Sequence, residues 1–455
     1  KIYGFLPSSL LSNIAIWSGI LGSLAMPIIG AVIDHTPYRL QVANYSALAL
    51  GAVKGIEIIV GKSTWFLVAV FQVISSILYN VHATAAYSYT SELTSDPNQQ
   101  SNYNAHYNAI LFVSMLVFLL VVLACSALLR TDDVGTARIS QAITSSVALS
   151  CFVFAWSYFF NDRPALSQIP HGQNLWTCGF IKVYRTSQRV VKHYRSLSWA
   201  IAAMMCAEAA MSALSAIAIT YLKAVLDMSA GEIGAVFFLV LGMGIPGSYL
   251  GGYLSVKLGN PIRSALVCDV GFIVVTGFAS YFMRGPENKN LAYIFASLWG
   301  AALGWLPPVD TTIFMHLMPG DSRAEFMGIM MLAAAILSWL PPLVFSILNE
   351  SGVSMAWGLA SLNLYFVVAI GCLLQIPHYT DARQESNLAS YSNVNQSAGN
   401  GTDMTATTSE TAAQYIRSHL HKDGNSKGRR GSNANIHDIG LQVGGVVLES
   451  HREVI

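Results

Sequence analysis

Four polar side chains in this sequence stand inside apolar stretches where they could carry chemistry: Glu208, Asp310, His82 and Asn80. Inserting an aspartate at the centre of a membrane helix costs roughly 2.5–3.5 kcal/mol, so a group kept there is expected to bind, pair or move charge. Glu208 lies in Met204-Met205-Cys206-Ala207-Glu208-Ala209-Ala210-Met211. Its small neighbours admit a ligand or another helix, so it can accept a proton or pair with a substrate ammonium; the alternative is a neutral carboxyl in an interhelical hydrogen bond. Asp310 follows Pro307-Pro308. Prolines remove helix N–H groups and free carbonyls, so the helix is expected to be interrupted there, as at transporter sites. The alternative is a kink whose freed carbonyls bond to Thr311, Thr312 or water.

His82 and Asn80 stand beside Tyr79, with Tyr87 and Tyr89 following. An imidazole titrates near neutral pH and can shuttle protons, and the polar and aromatic neighbours could form a wall for a zwitterion. The same residues could equally be a packing contact between helices. His316 is expected nearer the membrane surface. Lys54 and Glu57 are three apart, share a helix face and are expected to form a structural pair. Asp269, on the side of Lys257 and Arg263, reads as an interface anchor.

The elements that must hold these residues are set by composition. Of 455 residues, 53% are hydrophobic and only 11% charged, against about a quarter in soluble domains. Charge is sparse through residue 376 and denser beyond it. Eleven apolar stretches, near 10–33, 42–61, 65–89, 106–129, 139–160, 197–222, 232–256, 264–283, 291–317, 326–348 and 354–376, are long enough to cross a bilayer. Helices are required, because lipid offers no partner to backbone groups, and nothing alternates as a β-barrel would. The fold class is therefore an all-α membrane protein.

Other classes fall away on the same grounds. A net charge of +1 excludes an electrostatic nucleic-acid binder. The six cysteines, 125, 151, 178, 206, 268 and 372, form no C-x-x-C pair and read as small buried hydrophobes, so neither disulfides nor a metal site is expected. The motifs H-E-x-x-H, G-x-S-x-G and the Walker phosphate loop are lacking, so no enzyme, no cofactor and no direct use of ATP are expected.

Residues 161–196 carry Arg163, Lys182, Arg185, Arg189, Lys192 and Arg195 against one acid, Asp162. By the positive-inside rule this loop faces the cytosol, as do the segments near 34–41, 90–105, 257–263 and 319–325 and the tail. Within it, Phe180, Val183, Tyr184, Val190, Val191 and Tyr194 are expected on one helical face, with Lys182, Arg185, Arg189 and Lys192 on another. Such a helix can lie on the inner leaflet or, as the preferred reading, rest on the bundle as a connector. Residues 385–440 are rich in Ser, Asn, Thr, Gly, Gln and Ala and are expected to be a disordered tail. It holds a basic cluster at Lys427, Arg429 and Arg430, and sequons at Asn395 and Asn400 that would go unused on the cytosolic side.

Two turns repeat. Gly22 and Gly30 precede Asp34-His-Thr-Pro37-Tyr-Arg39, and Gly244 and Gly252 precede Val256-Lys257-Leu-Gly259-Asn260. The pattern resembles the loop motif after the second and eighth helices of the major facilitator superfamily, with Pro37 in place of a glycine and Val256 in place of an aspartate. On that mapping one helix is expected to be missing at the N-terminus, and the basic loop separates two six-helix halves. The expected division is 1–160 for the first half, 161–196 for the loop, 197–376 for the second half and 377–455 for the tail.

Further strings narrow the resemblance. They are Pro27-Ile-Ile-Gly30, Ala207-Glu208-Ala209-Ala210, Ile245-Pro246-Gly247-Ser248, Gly304-Trp305-Leu-Pro307-Pro308, Trp339-Leu-Pro341-Pro342-Leu-Val-Phe345, Asn349-Glu350-Ser-Gly352 and Trp357-Gly358-Leu359. Together, over residues 1–378, they look like the family of the autophagy-related vacuolar amino-acid effluxer, a branch of that superfamily. The resemblance implies a secondary transporter releasing neutral amino acids such as leucine from the vacuole by alternating access, with protons as a candidate coupling ion. It places Glu208, Asp310, His82 and Asn80 on cavity-lining spans. Gly30, Asp34, Arg39, Gly252, Lys257 and Gly259 become the gating motif, and Pro246, Pro307, Pro308, Pro341 and Pro342 the bending points. The alternatives are a carrier of another small organic solute and a receptor or scaffold that kept the fold without transport.

Overall fold

A computed structural model describes residues 6–93, 97–162, 164–165, 174–318, 323–377 and 379–382. The expected tail, with its basic cluster and both sequons, lies outside the described residues. Among the described residues every regular element is helical: α1 (Leu10–His35), α2 (Arg39–Ile56), α3 (Trp65–Leu93), α4 (Pro97–Leu129), α5 (Asp133–Tyr158), α6 (Leu175–His193) and α7 (Arg195–Ala224). They continue as α8 (Ala230–Lys257), α9 (Pro261–Phe282), α10 (Leu291–Leu317), α11 (Arg323–Ile336), α12 (Leu340–Glu350), α13 (Met355–Ala360) and α14 (Leu362–Leu374).

Among the described residues, eleven spans are long and apolar enough to cross a membrane, close to the positions the hydropathy predicts. The tenth is α11 continued by α12, and the eleventh is α13 continued by α14. Helix starts follow local chemistry. Asp132 caps α5 by accepting from the Gly135 N–H at 2.8 Å, and Asn260 caps α9 by accepting from the Ile262 N–H at 2.9 Å. Ser229 and Glu232 form a reciprocal capping box on α8, at 2.8 Å and 3.3 Å.

The spans before and after α6 pack by the same plan. In the first group α3 packs on α1 and α2, and α2 on α5; in the second α10 packs on α8 and α9, and α9 on α14. The repeated turn motif is thus the local sign of a repeated arrangement. Helix α7, which packs on α10, α11 and α14, has no counterpart among the described helices of the first group.

The larger core lies in the second group around α7, whose Leu197, Ala200, Met204, Leu214, Ile217 and Tyr221 are buried. Phe272 of α9 and Phe366 of α14 stack there with ring centroids 4.6 Å apart. Outward faces are apolar, as lipid demands: Val267, Val270, Val274, Phe278 and Tyr281 form one exposed stripe along α9. All six cysteines are free thiols, but only Cys178 and Cys268 are buried as expected; Cys125, Cys206 and Cys372 are partly buried and Cys151 is exposed on α5.

Candidate functional site

Helix α7 brings Glu208 to mid-span. Ala207, Ala209, Ala210 and Met211 are buried, while Glu208 itself is only partly covered. Asp310, on α10, is 4% exposed, and its Oδ2 has no hydrogen-bond partner. Asp310 lies close enough to Asp269 and Glu208 for both their charges to act on it. The structure therefore brings Glu208 and Asp310 into one electrostatic cluster. It also adds a member, because Asp269 is not an interface anchor: it is 1% exposed on α9, with Oδ1 unpartnered. Arg263, which was expected beside it, is exposed nearly two turns away at the start of α9. A buried carboxyl oxygen without a donor is costly, and a proton on the carboxyl removes that cost.

The two proline pairs sit in different settings. Helix α10 runs unbroken through Pro307 and Pro308. Pro308 cannot donate to the carbonyl of Gly304, and the Ser248 hydroxyl of α8 donates to it instead, at 3.0 Å. Thr311 and Thr312 donate to the carbonyls of Pro307 and Pro308, which are not the ones freed. This repair needs contact between helices at backbone range. A Cβ on Gly304 would lie 1.9 Å from the Gly244 oxygen, one on Gly247 2.1 Å from the Ala301 oxygen, and one on Gly300 2.3 Å from the Val240 oxygen. Gly244, Gly247 and Gly251 of α8 thus serve packing, and α8 is continuous through Pro246.

The break lies at Pro341-Pro342. The chain leaves α-helix between Ile336 and Leu340, and the two prolines sit in the first turn of α12. This break faces α1: a Cβ on Gly19 would meet Ser338 Oγ and Trp339 at 2.9 Å, and Ser23 Oγ donates to the Ala335 carbonyl at 3.2 Å. Toward the end of the bundle away from α6, the same two spans are clasped by side chains. The Leu6 N–H and Ser9 Oγ donate to Glu350 Oε1 at 2.6 Å and 2.8 Å, and Asn349 Nδ2 donates to Ser8 Oγ and Ser9 Oγ at 2.8 Å and 2.9 Å. Sequence reading used Asn349 and Glu350 only as family markers; the polar pair closing an apolar span was the available signal.

The two turn motifs differ. In the first, Asp34 pairs with Lys182 of α6 at 2.7 Å, and Arg39 is buried with its guanidinium 5.3 Å from the Tyr89 ring centroid. In the second, Gly259 takes φ +60, Asn260 caps α9, and Lys257 stands over Tyr253 of its own helix at 5.6 Å. A Cβ on Gly30 or on Gly252 would meet nothing within 4 Å, so neither glycine is there for close approach. Val256 is described only in its backbone.

His82 and Asn80 do not join the acids. His82 Nδ1 is 3.3 Å from the Ala43 carbonyl, and its ring packs on Phe152 and Trp156 at 4.7 Å and 5.6 Å. Asn80 faces α1, with Nδ2 3.0 Å from where a Gly22 Cβ would stand. His316 bonds to the Tyr379 hydroxyl. Glu57 is fully buried and receives Lys54 at 3.0 Å, Gln72 at 2.7 Å and Ser75 at 2.7 Å, so the expected pair is a closed network. Among the described residues no cluster of His, Cys, Asp and Glu could hold a metal ion.

The connector α6 rests on the bundle through only part of its apolar face. Cys178, Gly179, Thr186 and Val190 are buried, whereas Phe180, Tyr184 and Val191 are exposed.

Comparisons with known proteins follow this geometry. The model of the Major Facilitator Superfamily matches residues 4–342. No curated protein matches the sequence. Among solved structures, the human organic anion transporter MFSD10 (TETRAN) is similar at TM-score 0.58 and 13% identity, over 80% of this chain and 83% of that one. A bacterial homologue of the iron transporter ferroportin, in its outward-facing state, is similar at TM-score 0.52 and 12% identity, over 81% of this chain and 98% of that one. The transporter FucP in its outward conformation gives TM-score 0.50 at 12% identity, over 83% of this chain and 93% of that one. At such identities the likeness is one of fold. With eleven apolar spans in a repeated arrangement and a family model over most of its length, this chain is a multi-pass membrane protein that belongs to the Major Facilitator Superfamily.

Proposed function

We propose that this secondary transporter carries neutral amino acids of the leucine type from the vacuole to the cytosol by alternating access, with Glu208 and Asp310 in the pathway. The observation that carries the reading is Asp310: a buried carboxyl in the bundle, one oxygen unpartnered, within electrostatic reach of Glu208 on a second helix. An amino acid's ammonium group is the counter-charge such a pair accepts, and a proton serves the same cluster when the substrate has left. The amino-acid class and the vacuolar direction come from the family resemblance. Alternating access needs two seams between the spans before and after α6. The Ser9–Glu350 clasp is the candidate for one of them, and the Asp34–Lys182 pair, which ties α1 to the connector α6, is the candidate latch at the other end.

The test is counterflow of labelled leucine into proteoliposomes holding the full-length protein, with Glu208→Gln and Asp310→Asn alongside. Uptake in the parent that both substitutions reduce at least about tenfold, equivalent to about 1.4 kcal/mol in the rate-limiting step, supports the reading. Uptake indifferent to both removes the acids from the pathway. Well-folded protein with no counterflow of leucine, but with counterflow of another solute, overturns the amino-acid assignment.

A further inference from the structure

Helix α6 has three distinct faces, and the bundle explains only one. Gly179 seats the helix on α1 so closely that a Cβ would lie 1.9 Å from the Pro27 carbonyl oxygen. Cys178 Sγ lies 3.3 Å from His35 Nε2, and Lys182 reaches Asp34 at 2.7 Å. These contacts fix α6 at the level of the last turns of a membrane span, which is the depth of a bilayer surface.

The second face carries Trp176, Phe180, Tyr184 and Val191, at intervals of four, four and seven, which is one stripe of a helix. All four are exposed, Trp176 by 69% and Val191 by 67%. The third face, turned away from the stripe, carries Arg185, Arg189 and Lys192, also exposed. A helix lying along the flank of a membrane bundle has one side on protein, one on lipid and one on water, and these three faces match that division.

We propose that α6 docks on the bilayer itself, with its aromatic stripe among the lipid headgroups and upper acyl chains and its basic face open to water within electrostatic range of anionic headgroups. Charge complementarity sets the choice of occupant. With Lys182 paired to Asp34, the described loop around α6 still contributes Arg185, Arg189, Lys192 and Arg195, and the leaflet the positive-inside rule assigns to it is the one enriched in anionic lipid. Aromatic rings at headgroup depth are the usual anchors of such a helix. Asp34 is already neutralised by Lys182, so no acid on α1 opposes the approach.

The experiment uses the full-length protein, cysteine-free, with one nitroxide at F180C or at K192C, in lipid nanodiscs with and without phosphatidylserine. Accessibility to oxygen reports lipid, and accessibility to a water-soluble nickel chelate reports water. In anionic discs the label at 180 favours oxygen and the label at 192 favours nickel. Each basic side chain near an anionic surface favours docking about fivefold, so Arg185→Gln with Lys192→Gln lowers the docked-to-lifted ratio about twenty-five-fold. A label at 180 that is equally open to nickel in both discs overturns the proposal. A label at 180 shielded from both reagents also overturns it, since a protein surface would then cover the stripe. Because labels can disturb packing, hydrogen exchange across residues 175–193 of the unlabelled chain provides a second readout: protection that rises with phosphatidylserine supports docking, and protection independent of it refutes docking.

Discussion

Replacing Gly304 by alanine should separate two helices, while replacing Gly252 by alanine should not. Both substitutions add one methyl group to a helix interior, where alanine is intrinsically favoured by up to about 1 kcal/mol. At Gly304 the added carbon would stand 1.9 Å from the Gly244 oxygen, whereas a carbon–oxygen contact needs about 3.3 Å. Helices α8 and α10 must therefore part by about 1.4 Å, a gap that forfeits about half of the dispersion energy across the affected contacts. The Ser248 bond to the Gly304 carbonyl, 3.0 Å in the parent, is lost with them. Overpacking of this kind costs about 1–3 kcal/mol, and the unpartnered carbonyl adds about 1 kcal/mol or more. Against the helix gain, Gly304→Ala should cost about 1–3 kcal/mol net. At Gly252 the added carbon meets nothing within 4 Å, so only the helix gain remains. Equilibrium unfolding in mixed micelles by graded detergent, followed by circular dichroism, measures both. Equal midpoints for the two variants would refute the claim that backbone contact holds α8 to α10.

Two other outcomes follow from the geometry. Asp34→Lys or Lys182→Asp alone should shift stability by less than about 1 kcal/mol, because both groups are partly exposed, yet each should slow solute exchange; the double swap should restore it, measured by counterflow. Lys54→Ala leaves Glu57 fully buried without its cation and should cost about 3–5 kcal/mol, whereas Lys54→Ala combined with Glu57→Leu should recover most of that loss in the same unfolding assay.

The spans were legible because lipid admits few solutions: about twenty apolar residues per crossing, with helices throughout. Pro341-Pro342 stand in the first turn of α12, where the missing N–H groups have no intrahelical carbonyl to serve. Pro307-Pro308 misled because the repair comes from Ser248, some sixty residues away, and a single chain read locally does not display its neighbours. Asp269 misled because depth was counted from the nearby basic residues, whereas burial depends on which way the side chain turns, here toward α10 and Asp310. On α6 the apolar face divides, with Val190 buried and Phe180, Tyr184 and Val191 exposed. Close packing on α1 selects small residues, Cys178 and Gly179, and leaves the aromatics outside. His82 and Asn80 have the composition of a site, but ring contacts and a glycine facing them account for their surroundings.

The bond from Ser248 to Gly304 also makes the two positions unequal in what they tolerate. The Ser248 hydroxyl lies 3.0 Å from the carbonyl of Gly244 in its own helix as well as 3.0 Å from that of Gly304, so serine is satisfied whether or not position 308 is proline. Proline at 308 without that serine would strand a carbonyl between two helices in backbone contact, at a cost of about 1–3 kcal/mol. Exchanging Pro308 for a residue with an N–H therefore leaves every partner in place, whereas exchanging Ser248 alone does not.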